Sequence, residues 1–171
     1  MRRKKEDISP LITGLLMEDG KGGYIPATAE RILAMARNVA EQRFAKGASL
    51  DSPNAVRECL PALLGAYNEE RFGVLFLDSQ NKLIAYEEMF RGTLGSATVH
   101  PREIAKAALN HHAASVILAH NHPSGSREPS QADIQITHRI KDALGLLEIK
   151  VTDHFITTGT ATVSMAEKGL I

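Results

Sequence analysis

The spacing of apolar residues predicts amphipathic helices in the first part of the chain. From Thr28, apolar positions recur at intervals of three and four residues until Gly47, which supplies a stop. Ser52 followed by Pro53 is typical of a helix N-cap with proline at the first helical position. We expect this second helix to be distorted at Pro61, because proline has no N–H to donate. Both helices are expected to bury their apolar faces by packing.

Beyond Glu70 the pattern changes to short apolar runs that alternate with helical stretches. The runs predict strands at 72–77, 83–90, 115–119, 149–157 and 161–165, and the helical stretches lie at 101–113 and from 130 onward. The order ββαβαββ is typical of an α/β protein with a mixed β-sheet flanked by helices. Residues 1–26 contain prolines and glycines with little periodicity and are predicted to be a loose arm. We therefore expect an N-terminal arm and helix over 1–47 and an α/β domain over 48–171.

Composition and charge narrow the classes of function. The 171 residues are enough for one domain with a small appendage, and the 43% apolar and 23% charged residues are near globular averages. Lys and Arg number 20 and Asp and Glu number 20, so the formal net charge is zero, whereas dedicated nucleic-acid-binding proteins are usually basic. Positive charge is concentrated in the RRKK stretch at 2–5. Nucleic acid is therefore a weakly supported partner.

The single cysteine, Cys59, restricts both compartment and metal chemistry. It excludes an internal disulfide and any zinc finger with several cysteines, so a bound metal must use histidine and carboxylate ligands. No apolar run approaches the roughly 18 residues of a membrane helix, and Glu6 and Asp7 follow the basic start where a signal peptide would be apolar. We therefore expect a cytoplasmic protein without a membrane partner.

The most informative stretch is HNHPSGSREPSQAD, residues 120–133. His120 and His122 lie at the end of a predicted strand, and residues two apart in an extended chain point to the same face. Asp133 is the fourth position of the next helix, counted from Ser130. It shares a helical face with the apolar residues Ile136, Ile140 and Leu144, so its side chain is expected to point inward, where a carboxylate needs a partner.

Two interpretations of this stretch remain open from spacing alone. Two histidines and one aspartate are the ligand set of a catalytic zinc site whose fourth position holds water, and zinc lowers the pKa of that water towards about 7. Alternatively, Ser130 and Asp133 form a capping box, with Asp where Glu or Gln is usual, beside two loop histidines and without a metal. The two interpretations are compatible for Ser130, whose hydroxyl could face the site.

The chain resembles a known family at these residues. His120-x-His122, seven residues, Ser130, two residues and Asp133 match the JAMM motif of JAB/MPN-domain metalloproteases. The segments VLFLDSQNKLIAYEEMFRGTLGSATVHPREI, AHNHPSG and DHFI are similar to the bacterial RadC-like subgroup, and the resemblance covers about 50–171. It implies the JAB/MPN fold, which is cytidine-deaminase-like, and one Zn²⁺ held by His120, His122 and Asp133. Longer RadC proteins also carry an N-terminal helix-hairpin-helix region, and we expect this chain to have no room for a full one.

The JAMM pattern also implies an upstream glutamate that acts as the general base. The candidates are Glu69, Glu70, Glu87 and Glu88. The family's Glu-x-x-Gly spacing ahead of an apolar strand fits Glu70 and Gly73 best. Leu77-Asp78 stands where many eukaryotic members have a glycine, so the register that selects Glu69 stays open. The resemblance further implies that Ser130, together with the metal, stabilises the oxyanion.

The resemblance implies a zinc metallopeptidase or isopeptidase that cleaves an amide bond in an unidentified protein or peptide. Two alternatives come from other classes: a RadC-like protein associated with DNA repair or recombination, and a non-catalytic MPN interaction scaffold. The scaffold ranks last, because such proteins typically lose the metal ligands. Of the other histidines, His154 is either a partner of a metal ligand or a satisfied strand-end residue, whereas His111 and His112 end a helix and complement its dipole. The oligomeric state is not predicted.

Overall fold

A computed structural model describes residues 15–18, 20–92, 99–159 and 161–171. The chain separates into two compact units, residues 1–39 and residues 40–171. The domain boundary predicted between residues 47 and 48 stays a prediction.

The first unit corrects the prediction of a loose arm over 1–26 for residues 15–18 and 20–26, and the rest of that prediction lies outside the described residues. Its described part contains an antiparallel pair of strands, β1 (Leu16–Glu18) and β2 (Tyr24–Pro26). Gly20 and Gly22 in the connecting turn have φ angles of 74° and 84°, which glycine adopts without strain. Strands of three residues are too short to show a period of two, which is why the sequence pattern missed them. The predicted basic stretch at 2–5 lies outside the described residues.

The second unit contains the predicted mixed sheet. Its strands and longer helices are β3 (Arg71–Leu77), β4 (Leu83–Arg91), α4 (Pro101–Asn110), β5 (Ser115–Asn121), α5 (Gln131–Gly145), β6 (Lys150–Thr157) and β7 (Thr162–Ser164). The strands lie in the order β4-β3-β5-β6-β7. β5 and β6 run parallel, and the other neighbouring strands run antiparallel. This confirms the predicted α/β class and places β5 at the centre of the sheet.

The predicted N-terminal helices are also present, with one interruption. α1 spans Ala29–Arg43, and the second predicted helix is divided into α2 (Pro53–Arg57) and α3 (Leu60–Leu64). The break falls just before Pro61, which cannot donate the hydrogen bond that a continuous helix needs there. Within the described part of the chain, no helix has the length and apolar character needed to cross a membrane.

Both faces of the central strand β5 are covered, and all of its residues are buried. Ile117 and Ala119 belong to one apolar cluster, while Val116 and Leu118 belong to the other, which also contains apolar residues of α4 and α5. His120 continues the Val116 and Leu118 side by strand alternation, which is the side of α5. The first residues of α5 and the end of β5 are thereby brought to the same place.

Candidate metal centre

His120 and His122 lie at the end of β5 and face each other. His120 pairs with neighbours on β3 and β6 and is completely buried. His122 follows the strand by one residue, and its backbone N–H donates to the carbonyl of Thr157 over 2.9 Å. The Nε2 atoms of the two histidines are 3.0 Å apart. The two imidazole rings therefore lie together on one side of the strand, as the spacing of His120 and His122 predicted.

Asp133 completes the cluster from the first turn of α5. Its side chain is 1% exposed, with Oδ1 3.2 Å from His120 Nε2 and Oδ2 3.3 Å from His122 Nε2. The same carboxylate accepts the N–H of Ser130 over 2.7 Å, while Ser130 Oγ accepts the N–H of Asp133 over 3.1 Å. The capping box and the His, His, Asp cluster therefore coexist, because the cap holds the carboxylate in the orientation that reaches both rings.

The three donors fit a tetrahedral zinc site. Zinc with nitrogen and oxygen ligands at about 2.0–2.1 Å keeps its ligand atoms about 3.3 Å apart. The structure places one ligand atom from each residue within 4.8 Å of the others. The two Nε2 atoms are 3.0 Å apart, and each lies 3.2 or 3.3 Å from a different oxygen of Asp133. His122 Nδ1 must carry a hydrogen, because it contacts the carbonyl of Ser126 at 2.9 Å. Its neutral form therefore turns the Nε2 lone pair towards the cluster.

The electrostatics of the cluster favour a bound cation. Complete burial lowers the pKa of His120, although the Asp133 carboxylate opposes this effect. Burial by itself would raise the pKa of Asp133, but the contacts with His120 and His122 and the hydrogen bond from Ser130 hold it far below its usual value. The Asp133 carboxylate favours the protonated form of His122 and raises its pKa against partial desolvation. Asp133 is therefore ionised, and a metal that binds here competes with a proton on His122.

Glu70 lies immediately before β3, at the edge of the cluster. It is half-buried and precedes Phe72, the β3 partner of His120, by two residues, so extended-chain alternation puts its side chain on the face that carries His120. Its negative charge favours the protonated forms of His120 and His122. The carbonyl of Glu70 accepts the N–H of Gly92 over 2.9 Å, which holds its backbone to the end of β4. Gly73 follows on β3, where a Cβ would lie 2.6 Å from the Tyr86 ring. The Glu-x-x-Gly spacing thus combines a carboxylate beside the histidines with a close approach of β4.

The other candidate glutamates have different partners. Glu69, whose side chain is 54% exposed, and Glu88 both form ion pairs with Arg71. Glu87 Oε1 lies 2.6 Å from Nε2 of His111, the residue that ends α4. These carboxylates are directed at cations or rings away from the cluster.

Asn121 is a residue of the site that the sequence analysis missed. It lies between the two histidines in the sequence and is completely buried. By strand alternation, its side chain points to the face of β5 opposite the histidines. Its Oδ1 accepts the N–H of Arg71 over 2.6 Å, and its Nδ2 donates to the carbonyls of Tyr67 and Glu69 over 3.2 and 3.1 Å. These partners lie on both sides of Glu70. Asn121 therefore ties the backbone that carries Glu70 to the strand that carries the histidines, and a polar residue at the end of a buried strand was the available signal.

His154 and Thr137 form a second, buried layer behind the cluster. His154 Nε2 lies 2.8 Å from His120 Nδ1, and His154 Nδ1 lies 2.6 Å from Thr137 Oγ1. Burial lowers the pKa of His154 well below its usual value, so its ring is neutral. Of the two interpretations left open for His154, the structure supports the contact with His120. Thr137 was not singled out, although it lies four residues after Asp133 on the inward face.

Comparison with known proteins agrees with this architecture. The sequence model described as "RadC-like JAB domain" matches residues 50–170. A UPF0758 protein of Cellvibrio japonicus is 53% identical over 140 residues, which are 82% of this chain and 62% of that protein. A UPF0758 protein of Vibrio cholerae is 50% identical over 143 residues, which are 84% of this chain and 90% of that protein. The chain thus spans less than two thirds of the length of the Cellvibrio relative.

Proposed function

This chain is a member of the RadC-like JAB domain family, and we propose that it is a zinc-dependent hydrolase of the JAMM type. The reaction is hydrolysis of an amide bond in a protein or peptide, as in a metallopeptidase or isopeptidase. The observation that carries the proposal is the convergence of two imidazole nitrogens and a buried carboxylate in one cluster. The cytoplasmic location remains a prediction.

The side chains of His120, His122 and Asp133 would hold the ion. When bound, zinc would polarise the substrate carbonyl and lower the pKa of the attacking water. Asp133 enters the site already ionised, because both histidines and the cap lower its pKa. His120 is neutral through burial, so its Nε2 is available as a ligand once its other nitrogen holds the hydrogen.

Glu70 is the proposed general base. Its side chain lies on the face of the sheet that carries His120, where it would accept the proton of the attacking water and deliver it to the leaving amine. Ser130 Oγ accepts the N–H of Asp133, which leaves the hydroxyl hydrogen able to turn towards the carbonyl oxygen as that oxygen becomes negative. Ser130 is exposed, so a substrate can reach it.

The two alternative functions have less support. A scaffold does not need metal-binding side chains, and this chain retains the complete His, His, Asp set. A dedicated nucleic-acid role is expected to come with an excess of basic residues, and the formal net charge is zero. We therefore keep hydrolysis as the proposed activity, with an unidentified protein or peptide as substrate.

Metal content and the glutamate variants test the proposal together. The purified chain should bind about one zinc, as expected for a single tetrahedral site. His120→Ala, His122→Ala and Asp133→Ala should each remove most of this zinc, whereas His111→Ala, a histidine outside the cluster, should retain it. Full retention of zinc by all three cluster variants would contradict the metal site.

Glu70→Gln should retain zinc, because Glu70 is not one of the three ligands. Its hydrolysis of peptide and isopeptide-linked reporters should fall by about 10²–10⁴-fold, the usual contribution of a general base. Glu69→Gln and Glu88→Gln are the matched controls, since both carboxylates pair with Arg71. Loss of activity in Glu88→Gln but not in Glu70→Gln would show that the assignment of the general base to Glu70 is wrong and that the base lies on β4. Failure of the zinc-loaded wild type to cleave any reporter would count against a hydrolase.

A further inference from the structure

A network of three buried hydrogen bonds connects two of the proposed ligands, His120 and Asp133. It runs from His120 Nδ1 to His154 Nε2 over 2.8 Å, and from His154 Nδ1 to Thr137 Oγ1 over 2.6 Å. Thr137 Oγ1 then reaches the backbone carbonyl of Asp133 over 2.5 Å. His120, His154, Thr137 and Asp133 are all buried, so water does not compete for these contacts. We propose that Thr137 and His154 are positioning residues that hold His120 in the tautomer able to bind a metal through Nε2.

The carbonyl of Asp133 determines which atom donates in each hydrogen bond of this network. A carbonyl oxygen only accepts, so the Thr137 hydroxyl must donate its single hydrogen to it. Thr137 Oγ1 is then an acceptor, and His154 must carry its hydrogen on Nδ1. A neutral imidazole has one N–H, so His154 Nε2 accepts the hydrogen on His120 Nδ1. His120 Nε2 is left with a lone pair directed at Asp133 and His122.

The importance of Thr137 becomes clear if the donor and the acceptor of each hydrogen bond in the network are exchanged. If Thr137 donated to His154, the oxygens of Thr137 and of the Asp133 carbonyl would face each other at 2.5 Å without a hydrogen between them. His154 would then donate from Nε2, and His120 would carry its hydrogen on Nε2, the atom that points into the cluster. A metal could not bind that nitrogen without a change of tautomer. The hydroxyl of Thr137 therefore selects the tautomer of His120 through His154, two side chains away.

The same network of hydrogen bonds holds His120 and Asp133, the two proposed ligands, in position relative to each other. His120 comes from β5, while Asp133 and Thr137 come from the first turns of α5. His154 on β6 lies between them and packs edge-on against the ring of Phe72, with centroids 5.5 Å apart. A side-chain partner on a ligand histidine fixes both ring orientation and tautomer, and its loss typically costs 10–100-fold in metal affinity.

This inference rests on the proposed function for its zinc-binding test. Thr137→Val keeps the shape of the side chain and removes the hydroxyl, so zinc affinity measured by chelator competition should fall by about 10–100-fold. Thr137→Ser keeps the hydroxyl and removes a methyl group, so its affinity should stay close to that of the wild type. A role in packing alone predicts the reverse ranking, because the serine variant loses buried volume. Equal affinity of Thr137→Val and the wild type would overturn the proposal.

A second measurement uses the wild-type protein and needs neither zinc nor an amino-acid substitution. In the metal-free wild-type chain, two-bond nitrogen–proton couplings of the imidazole rings identify the protonated nitrogen of each histidine. The proposal requires His154 and His120 to be protonated on Nδ1, and protonation of His120 mainly on Nε2 would overturn it. If the protein binds no zinc but shows these tautomers, the proposed function is wrong and the inferred hydrogen-bond arrangement is correct. If it binds zinc and the tautomers are reversed, only this inference fails.

Discussion

Asn121→Ala tests whether buried hydrogen bonds fix the segment before β3. The substitution removes one acceptor and two donors that are completely buried, at contacts of 2.6, 3.2 and 3.1 Å. It leaves the N–H of Arg71 and the carbonyls of Tyr67 and Glu69 without these partners. The proposed metal ligands are unchanged, so the effect on stability can be separated from a loss of metal.

The expected loss of stability follows from the access of water to each orphaned group. An unpaired buried polar group costs about 1–3 kcal/mol. Glu69 is exposed, so water can replace the partner of its carbonyl, while Arg71 is half-buried with a side chain only 12% exposed. We therefore assign the full cost to the N–H of Arg71 and a smaller cost to the carbonyls. With the small cavity left by the side chain, the free energy of unfolding should fall by about 2–4 kcal/mol.

Equilibrium denaturation of the metal-free chain measures this loss, and Asn54→Ala is the matched control. Asn54 accepts a hydrogen bond from Arg57 over 2.7 Å at an exposed position, so its replacement should change stability by less than about 0.5 kcal/mol. Zinc content of Asn121→Ala should stay at the wild-type level, while backbone amides of residues 67–71 should exchange faster. An unfolding free energy for Asn121→Ala equal to that of the control would refute the reasoning, because water would then replace all three bonds without cost.

Two further predictions concern β3 and the basic stretch. Gly73→Ala should destabilise the chain by about 1–3 kcal/mol in the same denaturation assay, because its Cβ would lie 2.6 Å from the Tyr86 ring. An unchanged midpoint would show that the ring moves aside without cost. Replacing the four basic residues at positions 2–5 by glutamine should remove a weak binding to DNA whose salt slope is about one unit per phosphate neutralised. Tight, salt-resistant binding by that variant would favour the nucleic-acid alternative.

Much of the fold could be predicted because its elements have strong local patterns. The order ββαβαββ followed from apolar periodicity, and the inward direction of Asp133 followed from its helical face. The hairpin of β1 and β2 could not be predicted, since three-residue strands carry no readable period. The residues of the cluster could also be predicted from a short segment, because His120, His122 and Asp133 lie within one β-loop-α connection.

The sequence by itself therefore determined the fold class, the family resemblance and the residues of the cluster, all of which depend on neighbouring positions. Only the tertiary structure decided which side chains surround the cluster. The contact between His120 and His154 joins residues 34 apart, and the contact between Asn121 and Arg71 joins residues 50 apart. Both exist because β3 and β6 flank β5, a pairing that no local pattern encodes. The pairing of Phe72 with His120 also brought Glu70 to the face of the sheet that carries His120, whereas Glu69 pairs with its near neighbour Arg71.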